Sequence, residues 1–311
     1  MPFVARILGF FLALCLAGSA TEARAENKVR VIASFSILGD LVKNVGGDRV
    51  EVTALVGPNG DAHVYQPTPA AVKAVSGAKL VVVNGLGFEG WMDRLIQTSG
   101  YKGPVVVATK GIKTREMTKG EEGRHEPGPA KHEPNIDPHA WQALSNALVY
   151  VDNIAQGLGA VDPEGAAAYQ ANAAAYKAKL VDLDQWVKAE VSSIPRAKRR
   201  MITSHDALGY FGDAYDIGII SPMGFRTERE AAAGDIAKLI KQIRQEKITA
   251  VFVENVTDPR LMEQVAKESG ATMGGELYSD ALSKPGEAAP TYIDMFKNNV
   301  AKIVAALRKG L

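Results

Sequence analysis

The sequence predicts an α/β protein of two Rossmann-like lobes with parallel sheets, joined by one long connecting helix, with a ligand cleft between the lobes. Apolar segments of strand length alternate with segments of helical periodicity in each half, and an alanine-rich stretch with helical spacing separates the halves. Continuous apolar runs such as residues 80–83 are typical of parallel strands covered on both faces. The chain is also close to the size, roughly 250–300 residues, at which one hydrophobic core divides into two.

Residues 1–25 are predicted to be a signal peptide that is cleaved. Arg6 precedes an apolar run over residues 7–20, and residues 23–25 (ARA) have the small-x-small pattern of a cleavage site. The apolar run is shorter than the roughly 20 residues that a membrane span needs. We therefore expect a soluble protein that is exported to the periplasm and begins at Glu26.

Charge and cysteine content exclude several kinds of binding site. Residues 1–25 hold two of the 36 basic residues and one of the 35 acidic ones, which leaves a balanced chain that gives no support for nucleic-acid or membrane-surface binding. Cys15 is the sole cysteine, and the bulky Leu14 before it argues against a lipid anchor. Because Cys15 leaves with the signal peptide, any metal must be bound through nitrogen and oxygen.

Residues 26–160 are predicted to form the N-terminal lobe, in which each apolar strand segment is followed by a segment with helical spacing. The predicted strands are 29–34, 50–56, 79–84 and 104–108, and the predicted helices are 37–45, 69–76, 89–98 and 141–158. Residues 114–135 interrupt this alternation with charged residues, glycine and proline. They are predicted to form a mobile surface loop.

One segment of this lobe, residues 85–90 (GLGFEG), fits the glycine pattern of dinucleotide-binding folds. Thr109 and Lys110 stand where such a fold needs an acidic residue at the end of the next strand. A tight strand-to-helix turn is therefore predicted here rather than a nucleotide site.

A long helix within residues 161–192 is predicted to connect the lobes. Asp162, Pro163 and Glu164 supply a helix cap, a first-turn proline and a favourable first-turn acid. At 1.5 Å per residue, a helix over residues 163–191 would be roughly 43 Å long. Such a helix can cross both lobes, and we expect a rigid connector that limits hinge motion.

Residues 193–311 repeat the alternation and are predicted to form the C-terminal lobe. The predicted strands are 200–203, 216–220, 250–254 and 275–277, and the predicted helices are 207–214, 233–246, 259–269 and 291–307.

Three of the five histidines, together with one aspartate, stand in short polar segments beside or after predicted strands: His63, His139, His205 and Asp280. Open α/β sheets bind ligands outside the carboxyl ends of their strands. Three imidazoles and one carboxylate suit Zn²⁺ better than Mg²⁺ or Ca²⁺. Their separations match no local zinc motif, however, so on spacing alone ordinary hydrogen-bonded residues at strand ends are the commoner case.

Four further residues are predicted to support the candidate ligands or the loop near them. Asp137 and Asp206 adjoin candidate ligands and would either orient imidazole N–H groups or cap a turn or helix. His125 and His132 lie in the polar segment 114–135 with several glutamates. They are predicted to be solvated loop residues, with auxiliary metal capture as the alternative.

The sequence around the candidate ligands resembles the ligand motifs of the metal-specific solute-binding subunits of zinc and manganese ABC importers. The four segments are residues 60–69 (GDAHVYQPTP), 137–141 (DPHAW), 204–211 (SHDALGYF) and 278–282 (YSDAL). Residues 84–89 (NGLGFE) and 291–295 (TYIDM) also look like that family, so the resemblance covers the whole mature chain in order.

The resemblance implies that His63, His139, His205 and Asp280 hold one metal ion between two lobes connected by a long helix. By the same resemblance, manganese members carry glutamate at the position of His205, which favours zinc here. Ala62 and Gln66 depart from the proline and glutamate usual in the first motif, so local rigidity and charge near His63 are expected to differ.

These inferences predict a protein that is not an enzyme. It would capture Zn²⁺ in the periplasm as a monomer and deliver the ion to a membrane ABC permease, with a periplasmic zinc-delivering chaperone as a further expected partner. The alternative is a secreted zinc-dependent hydrolase with a three-histidine site, whose fourth position would hold water where Asp280 is predicted to bind. Because zinc binds neutral imidazole, its affinity is expected to fall below about pH 6.5.

Overall fold

The computed structural model describes residues 28–116, 136–224, 227 and 232–309. Within these ranges the chain forms two lobes, each built on a four-stranded parallel sheet, with a long helix between them. The predicted fold class is confirmed. The predicted signal peptide, 1–25, and residues 117–135 of the predicted loop lie outside the described residues.

The first sheet has the strand order β2-β1-β3-β4, and all its strands are parallel. Its strands are β1 (Val29–Phe35), β2 (Val50–Val56), β3 (Leu80–Val83) and β4 (Val105–Val107), and its helices are α1 (Ser36–Gly46), α2 (Pro69–Ser76), α3 (Met92–Ser99) and α4 (Leu144–Val161). Strand β1 pairs with β2 on one side and with β3 on the other. The strand order therefore reverses between β1 and β3. Ligand crevices of open α/β sheets form at such a point.

Helix α3 begins three residues later than predicted because the preceding residues form a turn. Gly85, Leu86 and Gly87 all have positive φ angles, and the Glu89 carboxylate accepts hydrogen bonds from the backbone N–H groups of Asn84 and Gly85. The glycine-rich segment thus forms a tight strand-to-helix turn, which is the role that the sequence predicts.

The connecting helix α5 (Ala166–Ser192) has 27 residues, about 40 Å at 1.5 Å per residue. A 3₁₀ turn, Pro163–Gly165, precedes it, and the Asp162 side chain accepts from the Gly165 N–H. Its buried residues recur every three or four positions: Tyr169, Ala173, Tyr176, Leu180, Leu183, Val187 and Val191. This face contacts α1 and α4 of the first lobe and the C-terminal helix of the second.

The second sheet repeats the arrangement, with the order β6-β5-β7-β8. Its strands are β5 (Arg200–Ile202), β6 (Gly218–Ile220), β7 (Ala250–Glu254) and β8 (Thr272–Leu277), and its helices are α6 (Gly209–Tyr215), α7 (Ala233–Glu246), α8 (Pro259–Ser269) and α9 (Tyr292–Lys309). The winding direction changes at β5 and β7. Strand β8 begins three residues before the predicted start because Thr272 and Met273 pair with Ala250 and Val251 of β7.

The two lobes share one large hydrophobic core that runs from β1 to α9. Hydrogen bonds also join them directly: Asn59 N donates to Leu282 O (2.9 Å), and Leu282 N donates to Ser36 Oγ (2.9 Å). The side chains of Trp141 and Gln142 both donate to the Ser279 carbonyl, at 2.9 and 2.7 Å. The loops that carry the predicted ligands are therefore held together across the cleft.

None of the helices in the described ranges combines the length and the hydropathy that a membrane span requires.

Candidate metal centre

The structure brings the four predicted ligands together in the cleft between the lobes. His63 lies in the loop after β2, His139 precedes a 3₁₀ turn that leads into α4, His205 follows β5, and Asp280 follows β8. One donor atom from each lies within 4.8 Å of the other three. In the part of the chain that the structure describes, this is the one group of three or more such side chains that could hold a metal ion.

The distances between donor atoms suit a small coordination sphere. His63 Nε2 lies 3.3 Å from His139 Nε2 and 3.1 Å from Asp280 Oδ2. Asp280 Oδ2 lies 3.1 Å from His205 Nε2 and 3.7 Å from His139 Nε2. Metal–ligand bonds of about 2.0–2.1 Å at tetrahedral angles separate donor atoms by about 3.3–3.4 Å, so these contacts match the edges of such a sphere.

The site is closed to water on most sides. His139, His205 and Asp280 are fully buried, and the His63 side chain is only 3% exposed. The ring of Phe88 packs edge-on against His63 with centroids 4.8 Å apart, and Trp141 packs against His139 at 5.3 Å. This apolar wall strengthens electrostatic interactions at the centre.

Each histidine is also held through its backbone by a carboxylate. Asp61 Oδ1 accepts from His63 N (2.8 Å), and Asp137 Oδ1 accepts from His139 N (3.0 Å). These contacts fix the backbone positions of His63 and His139, which lie in segments without regular secondary structure.

Asp137 also contacts the ring of His139, as the orienting role predicted for it requires. Its Oδ1 atom lies 2.8 Å from His139 Nδ1, while Oδ2 accepts from the Arg115 guanidinium at 3.3 Å. A carboxylate at Nδ1 favours a proton there and leaves the Nε2 lone pair free to bind a metal.

Glu254 takes the corresponding place beside His205. Its Oε1 atom accepts from His205 N at 3.0 Å, and its Oε2 atom lies 2.7 Å from His205 Nδ1. Glu254 therefore lies beside the ring nitrogen for which an orienting role of Asp206 was predicted. Asp206 does not cap α6, because that helix begins at Gly209 and its N-cap residue is Leu208, with no side-chain cap.

Glu254 was not predicted from the sequence, although the sequence contains a usable signal. The predicted strand 250–254 ends in an acidic residue, and a charged residue at the carboxyl end of a buried parallel strand points at the ligand crevice. What the sequence does not show is that β7 lies beside β5, so that residues 49 positions apart meet.

The departures at Ala62 and Gln66 leave the site intact. Ala62 is fully buried, and its carbonyl accepts from Trp91 Nε1 at 2.8 Å, which anchors the loop before His63. Gln66 is exposed.

The charges at the centre are strongly coupled. Burial disfavours a charged imidazole, but the carboxylates of Asp280 and Asp137 outweigh this effect and raise the pKa of His139 to about 9. In the same way, Glu254 and Asp280 outweigh burial and hold the pKa of His205 well above its ordinary value. Burial would raise the pKa of Asp280, but His139 and His205 outweigh it and lower that pKa well below its ordinary value.

Glu254 Oε2 and His205 Nδ1 lie 2.7 Å apart but do not form a hydrogen bond of regular geometry. The buried Oδ1 atom of Asp280 has no hydrogen-bond partner among the described residues. A buried carboxylate oxygen without a donor is costly unless a cation satisfies it. The donor set and this oxygen together fit a divalent metal ion. The two other predicted metal-capturing residues, His125 and His132, lie outside the described residues.

The chain is similar to known metal-binding proteins. Residues 31–306 match the family model described as ZnuA, zinc-uptake complex component A periplasmic. The chain is 33% identical over 305 residues to the manganese-binding lipoprotein MntA of Halalkalibacterium halodurans, covering 98% of this chain and 97% of the relative. It is 32% identical over 321 residues to the manganese ABC transporter substrate-binding lipoprotein PsaA of Streptococcus pneumoniae, covering 99% and 100%.

Solved structures agree. The periplasmic zinc-binding protein TroA of Treponema pallidum superimposes with a TM-score of 0.80 at 29% identity, covering 90% of this chain and 99% of that one. The manganese-bound periplasmic metal-binding protein of Candidatus Liberibacter asiaticus gives a TM-score of 0.78 at 32% identity, covering 90% and 100%. Proteins with this fold thus include some named for zinc and some named for manganese.

Proposed function

The chain belongs to the ZnuA family of metal-binding subunits of ABC importers, and on that premise we propose that its cargo is Zn²⁺. The observation that carries the proposal is the donor set: three imidazole Nε2 atoms and one carboxylate oxygen, from both lobes, within 4.8 Å of one another.

Nitrogen donors favour zinc over manganese. Imidazole suits zinc and copper, whereas manganese prefers carboxylate, carbonyl and water, and manganese forms the weakest complexes of the first-row divalent ions. The Nε2 atom of His205 supplies nitrogen at the position where, by the resemblance drawn from the sequence, manganese members carry a carboxylate. The relatives named for manganese share the fold, and the choice of ion depends on such single donors.

Carriage is favoured over catalysis. Asp280 Oδ2 lies 3.1 Å from both His63 Nε2 and His205 Nε2, in the position where a three-histidine hydrolase would hold its reactive water. The hydrolase alternative finds no support among the similar proteins, which are named as binding proteins.

The same proposal places the protein in the periplasm and gives it a membrane ABC permease as partner. The family description supports both parts, since it names a periplasmic component of an uptake complex. A zinc-delivering chaperone in the periplasm is proposed as the donor of the ion.

Competition titrations of metal-stripped protein with Zn²⁺, Mn²⁺ and Cu²⁺ test the proposal. We expect one Zn²⁺ per chain, bound more tightly than Mn²⁺, and a large loss of affinity in each of four variants: His63→Ala, His139→Ala, His205→Ala and Asp280→Ala.

His205→Glu serves as the matched variant, because it keeps a donor but replaces nitrogen by oxygen. We expect it to move the ratio of zinc to manganese affinity towards manganese by at least about tenfold, or about 1.4 kcal/mol. Tighter binding of Mn²⁺ than of Zn²⁺ by the unmodified protein would refute the proposed cargo.

A further inference from the structure

We propose that Glu254 is the positioning residue that makes His205 a metal ligand through Nε2, and that the zinc affinity of the site depends on it. The inference rests on the proposed function and adds a residue outside the four-ligand set. Among the four ligands in the described residues, the Glu254 side chain makes polar contacts with His205 alone, so it would act through His205.

The geometry fixes both the position and the proton of the ring. Glu254 is fully buried at the carboxyl end of β7, next to β5, which leads into His205. One carboxylate oxygen accepts from the His205 backbone N–H, and the other lies 2.7 Å from the ring Nδ1 atom. Both oxygens of Glu254 thus face N–H positions of His205, which favours a proton on Nδ1 and leaves Nε2, on the side of Asp280, as the nitrogen that binds the metal.

Glu254 is itself held in place. Its backbone N–H donates to Ser204 Oγ at 3.2 Å, and its carbonyl accepts from the backbone N–H of Thr257 at 3.0 Å. The acceptor therefore comes from the end of a buried strand rather than from a mobile loop. A ring oriented by such a support keeps its geometry before the metal arrives.

His139 and His205 differ in whether a cation also pairs with the carboxylate beside Nδ1. Asp137 shares its charge between His139 and the Arg115 guanidinium. No Lys or Arg of the described residues forms an ion pair with Glu254. The negative charge of Glu254 therefore acts on the imidazole of His205 without a competing cation.

Glu254→Gln is the sharpest test because it keeps the size of the side chain. A glutamine has one acceptor oxygen and one NH₂ group, so it cannot accept from both the backbone N–H and Nδ1–H of His205. If the glutamine oxygen accepts from the His205 backbone N–H, its NH₂ group faces Nδ1. This favours the tautomer with hydrogen on Nε2, in which Nε2 has no lone pair for the metal. We expect zinc affinity to fall about 10- to 100-fold.

A double-mutant cycle separates this role from a general effect on folding. In the His205→Ala background, Glu254→Gln should change zinc affinity by less than about twofold, because the ring through which it acts is gone. Equal losses in both backgrounds would overturn the proposal. ¹H–¹⁵N NMR of the zinc complex gives a second readout: the Nδ1–H of His205 should be protected from exchange and be lost or shifted in Glu254→Gln.

Glu254→Asp covers the case in which the glutamine variant does not fold. The shorter carboxylate keeps the charge but cannot span both contacts, so we expect a smaller loss of zinc affinity that again disappears in the His205→Ala background. Unchanged affinity in either folded variant contradicts the inference. Failure of the unmodified protein to prefer zinc would instead contradict the proposed cargo, while the NMR signal would still report the contact with Glu254.

Discussion

His139 and His205 are buried bases that share one carboxylate, Asp280, and each has a second carboxylate at Nδ1. The pKa of His139 is raised to about 9, and the pKa of His205 is raised well above its ordinary value. The metal-free site therefore holds protons at neutral pH where a cation will later sit. Metal and protons compete for the same negative charge.

This competition moves the expected pH dependence of binding. The sequence alone, with ordinary histidines, predicts a loss of zinc affinity below about pH 6.5. With raised histidine pKa values, protons compete up to about pH 9, so zinc affinity should keep rising from pH 6.5 to pH 9. Calorimetry at pH 7 in two buffers of different ionisation enthalpy should show at least one proton released per Zn²⁺. A binding enthalpy that is the same in both buffers would exclude protonated histidines in the free site.

The same raised histidine pKa values should make the metal-free protein less stable as the pH rises, whereas zinc affinity increases with pH. A histidine pKa raised on folding stabilises the folded state below its unfolded value of about 6.5, and this contribution is lost as the pH rises through the folded value. The melting temperature of metal-free protein should accordingly fall between pH 6.5 and 9, and His139→Ala should reduce that fall.

At the scale of elements, capping residues and glycines in the sequence predict many helix boundaries correctly. Helices α2 and α8 begin and end where predicted, because Thr68 and Asp258 cap their first turns and Gly77 and Gly270 end them. Helix α6 has no such cap, and its predicted start is two residues early. Where local hydrogen bonds fix an end, the sequence contains the information.

The start of the connecting helix offers a test of this reasoning. Asp162 accepts from Gly165 N, from Arg49 Nε at 2.9 Å and from Tyr169 OH at 2.6 Å. Asp162→Ala should lower the free energy of unfolding by about 1–2 kcal/mol, the usual cost of a lost cap. Urea unfolding of the metal-free protein measures this.

Lys188→Ala is the matched control on the same helix. Lys188 makes an exposed ion pair with Asp184 at 2.6 Å, and removing such a pair costs less than about 0.5 kcal/mol. A larger loss for Lys188→Ala than for Asp162→Ala would show that capping is not what fixes the helix start. Zinc affinity should be unchanged in both variants, since neither residue contacts the site.

At the scale of the molecule, one hydrophobic core and one long helix join the lobes. Opening them by a wide hinge motion would expose that core and bend α5. The interlobe bonds of Asn59, Leu282 and Ser36 oppose the same motion. We expect metal binding to change loops and small lobe contacts rather than the overall shape.

Small-angle scattering tests this expectation. Metal-free and zinc-bound protein should give superimposable curves for a monomer. Ala174→Pro, on the exposed face of α5, should kink the helix and allow a larger difference between the two forms. A clear compaction of the unmodified protein on zinc addition would instead indicate hinge closure.

The sequence by itself determined the donor atoms and the class of fold. Imidazole and carboxylate side chains follow strands, and alternating periodicity is a local property that a chain displays without folding. Only the tertiary structure decided that Glu254, and not the adjacent Asp206, lies beside His205 Nδ1. That choice depends on β5 pairing with β7, and strand pairing depends on the packing of the whole lobe rather than on any neighbouring residue. The charge balance of the site has the same origin, since each raised pKa results from carboxylates that meet only after folding.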